Sequence, residues 1–157
     1  GIDVSGKAPL ASTRVGEFGL EGLVGYTNGR NFDTGDNLYN IMPLNAKLML
    51  THRYGGWDNV LEVAMAAAKD DVSAERNEVE TAGYALANLR ASYSWPKVRI
   101  DLGVDNLFDT FYSLPLGGAY LGQGTTMTST PVGSVPAWGT AVPGMGRSIY
   151  AGVKVTF

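Results

Sequence analysis

The chain has 157 residues, 21 of them glycine, and only 17% are charged, with a formal net charge of −3. That length allows one domain with a sizeable core, and the acidic balance without a basic cluster predicts no attraction to nucleic acid. The absence of cysteine excludes a disulfide framework and a thiolate metal site. No apolar run reaches the roughly 20 residues of a membrane-spanning helix. The longest such run is the six residues from Val63 to Ala68.

Apolar residues recur at every second position along most of the chain. A weak alternation predicts the end of a strand that enters from upstream, at Ile2, Val4, Ala8 and Leu10. Stronger alternation follows in five segments, which are residues 18–26, 44–54, 57–67, 85–95 and 98–104. The chain ends on a sixth such segment, whose apolar residues are Ile149, Ala151, Val153, Val155 and Phe157. A period of two predicts strands with one apolar and one polar face, so we predict an all-β chain of about seven antiparallel strands.

Three features favour strands that cross a membrane over the strands of a soluble sheet. Their length matches the about 9–11 residues of a tilted membrane-spanning strand, whereas soluble strands average about 5–6. No charged residue lies in the middle of an apolar face, as expected where a lipid-facing Arg or Lys costs about 2–4 kcal/mol. Short turns at residues 11–16, 55–56 and 96–97 alternate with long polar segments at residues 28–43, 69–83 and 113–146. We therefore predict a transmembrane β-barrel with all its short turns at one end.

Aromatic residues of the apolar faces gather at the short-turn end. They are Tyr54, Trp57, Tyr93, Trp95 and Phe157. Because amphipathic rings prefer the membrane–water interface, we predict that these residues form a periplasmic aromatic girdle. The single histidine, His52, falls on the same face beside the girdle. A catalytic arrangement built on His52 would face hydrocarbon, so we expect this residue to be interfacial and not catalytic.

The last third of the chain carries a recognisable pattern. The stretch "VDNLFDTFYSLPLGGAY" contains an NLFDxxY core (Asn106, Leu107, Phe108, Asp109 and Tyr112), and the chain closes with "GRSIYAGVKVTF". Together with "LYNIMPLNAKLML" upstream, these stretches resemble the C-terminal part of a TonB-dependent outer-membrane receptor, and the resemblance covers nearly the whole chain. It implies a barrel of about 22 strands closed by a plug domain. It also implies uptake of a scarce ligand, such as a metal–siderophore, haem, cobalamin or a similar metal complex.

The resemblance implies a place for this chain and a set of partners. Residues 1–157 would be the last seven strands of the barrel, because seven strands left open would expose unpaired backbone to lipid. The partners would be outer-membrane lipid, the plug and the other strands, the TonB complex through that plug, and the barrel-assembly machinery, which would read the strand ending in Phe157. The barrel would lie in the bacterial outer membrane, with its long loops extracellular and its short turns and C-terminus periplasmic.

Charges of both signs lie on the polar faces, and we expect them to pair between neighbouring strands. They are Glu21, Glu62, Asp101 and Asp105 with Lys47, Arg53, Arg90, Arg99 and Lys154. No spacing among these carboxylates predicts paired-carboxylate catalysis. The loop acids (Asp33, Asp36, Asp70 and Asp71) lack the spacing and closing Glu of an EF-hand, and Met127 and Met145 lack a partner His or Cys for copper(I). We expect no metal site, no cofactor and no enzymatic activity.

Recognition of a ligand by the loops is the remaining function. Binding residues tend to lie on loops held by a rigid scaffold, and the 113–146 segment is long for a connection. We predict that Tyr112, Tyr120 and Trp138 face the ligand. The competing interpretation is that these rings pack the loops against one another or form an outer aromatic girdle.

Three other interpretations of the whole chain stay open. A small complete or oligomeric outer-membrane barrel with a structural or channel role predicts a native chain of this length that is stable in detergent. A barrel enzyme needs convergent Ser, His or Asp residues near the outer rim, against which the position of His52 argues. A soluble β-sandwich predicts solubility without detergent.

Overall fold

A computed structural model gives the fold and describes residues 1–120 and 139–157. Within these ranges the chain forms nine strands, which are β1 (Ile2–Thr13), β2 (Gly16–Tyr26), β3 (Asn45–Tyr54), β4 (Trp57–Ala66), β5 (Tyr84–Ser94), β6 (Val98–Asp105), β7 (Ala119–Tyr120), β8 (Thr140–Ala141) and β9 (Ser148–Val155). The same ranges contain no helix that is long and apolar enough to cross a membrane.

Seven of the described strands form one antiparallel sheet in the order β1-β2-β3-β4-β5-β6-β9. The seven predicted strands are therefore confirmed, together with the all-β fold class. β7 and β8 pair with each other as a separate hairpin within the connection from β6 to β9. The sequence analysis missed this hairpin, because strands of two residues are too short to show an alternation.

The first strand departs most from its predicted bounds. The predicted turn at residues 11–16 is wrong, since β1 runs on to Thr13 and only residues 14–15 separate it from β2. The pairing with β2 shifts register between Pro9 and Ala11, which leaves Leu10 as a bulge residue. Because a bulge inserts one extra residue into one strand, the alternation breaks at Leu10 although the strand continues.

The register of the sheet brings the apolar residues of all seven strands to one face. One row across the strands consists of Ala8, Leu20, Leu50, Leu61, Leu89, Val104 and Ile149. The neighbouring row on the opposite face begins with Lys7, Glu21, Met49, Glu62 and Asn88. Successive side chains of a strand point to opposite faces, so this register gives the whole sheet one apolar and one polar face.

Burial in this sheet is inverted relative to a water-soluble protein. Among the described residues, Ala66 and Pro115 are the only buried apolar side chains. The leucines of the apolar row are about two-fifths exposed, whereas Glu62, Asn88 and Ser92 on the polar face are buried. Large exposed apolar patches and buried polar groups are the informative departures from ordinary burial. The sheet therefore requires an apolar surrounding on one side.

The two ends of the sheet differ as predicted. Short connections of two or three residues join β1 to β2, β3 to β4 and β5 to β6, and long ones span residues 27–44, 67–83 and 106–147. At the short-turn end Trp57 pairs with Tyr54 across its turn and lies 5.0 Å from the ring of Tyr93, which lies 4.3 Å from the ring of Trp95. Phe157 is fully exposed just beyond β9. These contacts bring the four rings into one cluster, and their place in a membrane stays a prediction.

Candidate functional site: the polar face and its loops

A charged network on the polar face is centred on Glu62 of β4. The Glu62 side chain is only 6% exposed, and its Oε2 lies 3.7 Å from Lys47 Nζ on β3 and 3.5 Å from Arg90 Nη1 on β5. The other carboxylate oxygen accepts a hydrogen bond of 2.8 Å from the Asn88 side chain. Lys47 and Arg90 stand diagonally from Glu62 across the two strand pairs, a spacing that long side chains can bridge.

Arg90 carries this network on to the last two strands of the sheet. Its Nη2 lies 3.5 Å from Asp105 Oδ1 on β6, and its Nε donates a hydrogen bond of 3.0 Å to the Tyr150 hydroxyl on β9. The Tyr150 ring lies over Gly103, where a Cβ atom would overlap the ring. Glycine at this position thus permits the contact between Arg90 and Tyr150.

The prediction that opposite charges pair between neighbouring strands is confirmed for Lys47, Glu62, Arg90 and Asp105. It is confirmed for Arg53 as well, which pairs at 3.7 Å with Asp58 directly opposite it on β4. Arg99 and Asp101 instead pair within one strand, β6, at 2.8 Å. Within the described ranges Glu21 and Lys154 form no ion pair.

Asn106 links the end of β6 to the long loop that follows. It is 3% exposed, and its backbone is in the left-handed region with a φ of 50°. Its backbone N–H donates to Asn88 Oδ1, and its side chain donates to the carbonyls of Thr110 and Met145. Asn tolerates this conformation better than most residues. The sequence analysis used Asn106 only as part of a motif, although an Asn directly after a strand is a signal for a specific turn.

A cavity of about 360 Å³ lies where the polar face meets this loop. Its polar walls include Asn88, Asp105 and Tyr112, and its apolar walls include Leu114 and Met145. Clefts of this size with a few convergent polar groups are typical of small-molecule sites. Three other cavities of about 330, 480 and 440 Å³ occur among the described residues, and this one is a candidate ligand site because Tyr112 lines it.

The three residues predicted to face a ligand have different outcomes. Tyr112 lines the cavity and packs against Tyr84 at a ring distance of 4.6 Å, so both of its predicted roles remain compatible with its position. Tyr120 lies in β7, and its side chain is outside the description. Trp138 lies outside the described residues, as does Met127. Ligand contact by all three stays a prediction.

His52 takes part in a structural arrangement on the apolar face. Its ring stacks on Phe18 at 4.7 Å, and its Nε2 lies 2.9 Å from the carbonyl oxygen of Val15 in the first turn. The Asn59 amide lies 3.2 Å from the other ring nitrogen, Nδ1. The contacts place Nε2 as donor to the carbonyl and Nδ1 as acceptor from the amide. In the part of the chain that the structure describes, no group of three or more His, Cys, Asp or Glu residues is placed to hold a metal ion.

Replacing Gly144 with alanine tests whether the position of Tyr112 is enforced by packing. A Cβ at residue 144 would overlap the Tyr112 ring, which packs against Tyr84, so the ring must shift and the cavity wall with it. Overpacking of this kind costs about 1–3 kcal/mol. We expect a lower melting temperature for Gly144→Ala by differential scanning calorimetry in detergent. Gly152→Ala is the control, because its Cβ would meet only ordinary contacts, and equal melting temperatures for the two variants would contradict the prediction.

Comparison with known proteins gives two findings. The sequence model of the family described as TonB dependent receptor-like, beta-barrel, matches residues 1–107. Among solved structures, this chain is similar to one named copper transporter OprC, with a TM-score of 0.82 and 22% sequence identity. The match covers 99% of this chain and 23% of that one, so the chain spans less than a quarter of the length of that protein. No curated protein matches the sequence.

Proposed function

The chain belongs to the TonB-dependent receptor-like β-barrel family, and we propose that it forms part of the wall of an outer-membrane receptor that takes up a scarce ligand. The inverted burial of the sheet is the observation that carries the proposal. An exposed apolar face opposite an ion-paired polar face in which Glu62, Asn88 and Ser92 are buried suits a barrel wall between lipid and a polar interior. Family and structural neighbour are receptors or transporters of this architecture.

The rest of the barrel completes the sheet in this proposal. β1 and β9 each have one unpaired edge in the described sheet. Unpaired backbone groups cost several kcal/mol each in hydrocarbon, so further strands must pair with both edges. We assign residues 1–157 to the C-terminal part of a barrel of about 22 strands, with a plug domain elsewhere in the receptor.

Orientation and partners follow from the two unlike ends of the sheet. The clustered rings of Tyr54, Trp57, Tyr93 and Trp95, together with Phe157 beyond the end of β9, would form the periplasmic girdle, because such rings prefer the membrane interface. The long loops would then be extracellular, and the cavity beside Tyr112 would lie toward the ligand. Lipid, the plug, TonB through the plug, and the barrel-assembly machinery are the proposed partners.

The ligand is proposed to be a metal complex, such as a metal–siderophore, haem or cobalamin. This class rests on the family, since the likeness to the copper transporter supports the fold alone. The role proposed for the chain is non-catalytic. His52, the one histidine of the sequence, is engaged with Val15 and Asn59 on the apolar face.

Uptake by whole cells tests this function. A strain that lacks the gene, and the same strain complemented with the gene, are each given radiolabelled ferric citrate, haem, cobalamin or copper(II). Each uptake is measured with and without a proton uncoupler. We expect one probe to accumulate only in the complemented strain, and its accumulation but not its surface binding to stop with the uncoupler. Equal accumulation of all four probes in both strains would contradict the ligand class, and recovery of the protein in the soluble fraction would contradict the barrel.

A further inference from the structure

The buried ion pair of Lys69 and Glu78 contacts residues of all three long loops at the rim of the sheet. Lys69, in the loop between β4 and β5, is 2% exposed. Its Nζ lies 2.5 Å from Glu78 Oε1 in the same loop and donates a hydrogen bond of 2.9 Å to the carbonyl of Pro115. Pro115 belongs to the loop between β6 and β9. The ammonium group therefore connects two loops through residues that are 46 positions apart in sequence.

Glu78 extends the connection to the third loop. Its Oε1 accepts a hydrogen bond of 2.9 Å from the backbone N–H of Asn40, in the loop between β2 and β3. Its Oε2 accepts a bond of 2.9 Å from the backbone N–H of Ser73. Burial acts to raise the pKa of Glu78, but the hydrogen bonds from Lys69, Ser73 and Asn40 and the Lys69 charge hold the pKa below its ordinary value. The carboxylate therefore stays ionised opposite the ammonium group.

Asp36 accepts a second set of hydrogen bonds between the first two loops. Its carboxylate accepts a hydrogen bond of 2.7 Å from the Ser73 hydroxyl and further bonds from the backbone N–H groups of Ala74 and Glu75. These bonds, the Ser73 hydroxyl first among them, lower the pKa of Asp36. Beyond its own loop, Asp36 contacts only the second loop, and among the hydrogen bonds and ion pairs of the described residues it is Lys69 that connects these two loops to the segment containing Pro115.

We propose that the Lys69–Glu78 pair is a conformational latch that holds the second loop, Asn40 of the first loop and the segment around Pro115 as one preformed rim. With the latch closed, Pro115 is tied down, and with it the neighbouring Leu114, which forms a wall of the cavity. Losing either charge leaves the other buried without its counter-charge, which favours opening of the contact. With the latch open, the segment around Pro115 loses its contact with the second loop, while Asp36 keeps the first two loops together. This latch goes beyond the proposed uptake function and does not depend on the identity of the ligand.

Paired spin labels measure the latch directly. Labels are placed on cysteines at two exposed sites, Ala74→Cys in the second loop and Leu116→Cys beside Pro115, in the full-length protein with any other cysteine replaced. Double electron–electron resonance in outer-membrane vesicles then reports the distance distribution between the two loops. We expect a narrow distribution with native Lys69 and a distribution about twofold wider in Lys69→Met, because the released segment samples more positions.

Lys97→Met is the matched control, since Lys97 is an exposed lysine in the short turn between β5 and β6. It should leave the distribution narrow. Heat-modifiable gel migration of the same samples confirms that the barrel is folded. If Lys69→Met fails to reach the membrane, the same distance distribution is measured in Glu78→Gln, which keeps the size of the side chain and removes the charge. A folded Lys69→Met or Glu78→Gln protein with a distribution as narrow as the native one would overturn the latch.

Discussion

Arginine in place of Leu50 is expected to destabilise the protein in a bilayer by about 2–4 kcal/mol. Leu50 lies in the middle of β3 on the apolar face, where its partners on the two neighbouring strands are Leu20 and Leu61. A charge at this position would have to enter hydrocarbon. In a soluble sheet the same side chain, already 39% exposed, would place the charge in water at little cost. The size of the effect thus separates a lipid-facing strand from a soluble one.

Met49→Arg is the matched control for this experiment. Met49 precedes Leu50 on β3 but faces the polar side, where Glu21 and Glu62 stand directly opposite it on the two neighbouring strands. An arginine there would lie between two carboxylates, and we expect a change within about 0.5 kcal/mol or a slight stabilisation. Guanidinium unfolding of the full-length protein in phospholipid vesicles measures both variants. Equal losses of unfolding free energy in Leu50→Arg and Met49→Arg would contradict the prediction that one face contacts lipid and the other does not.

Methionine in place of Glu62 is expected to lower the free energy of unfolding by about 2–4 kcal/mol, because one carboxylate satisfies several groups at once. Its loss leaves the Asn88 amide donor unpaired in a buried position and removes the counter-charge of Lys47 and Arg90. The two cations are each 44% exposed and regain some hydration, which keeps the cost below that of a fully buried pair. The same unfolding titration provides the measurement.

An exposed ion pair supplies the comparison for Glu62. Arg53 and Asp58 are paired at 3.7 Å with side chains that are 68% and 37% exposed. Such pairs contribute about 0–1 kcal/mol, so Asp58→Asn should change the unfolding free energy by no more than that. If Glu62→Met costs no more than Asp58→Asn, the network on the polar face contributes nothing particular to the stability of the wall.

Much of the fold could be predicted from the sequence, because the alternation of a strand is a local property. Each segment from residue 18 onward carries its own period of two, and matching these segments in an antiparallel meander brings Leu20, Leu50, Leu61 and Leu89 into one row. The exception is local too. At Leu10 a single bulge residue broke the period and led to a wrong turn at residues 11–16.

The candidate site could be predicted only in part. The mixed charges of the polar face indicated pairing, but which cation meets which carboxylate depends on diagonal neighbours, as for Lys47 and Arg90 around Glu62. Tyr112 was singled out as a loop aromatic, whereas its contact with Tyr84 and its place in the cavity wall were not foreseen. The turn at Asn106 that brings Met145 to the same cavity was missed as well.

By itself the sequence determined the seven strands of the main sheet, their two faces and the alternation of short and long connections, since all three depend on residues that are neighbours along the chain. The tertiary structure alone decided that Lys69 meets Pro115, 46 residues away, and that Arg90 meets Tyr150, 60 residues away. No period or motif encodes such contacts. They form because pairing of the strands brings the ends of the intervening loops together. The buried ammonium group of Lys69 then requires a polar partner, which the Pro115 carbonyl provides.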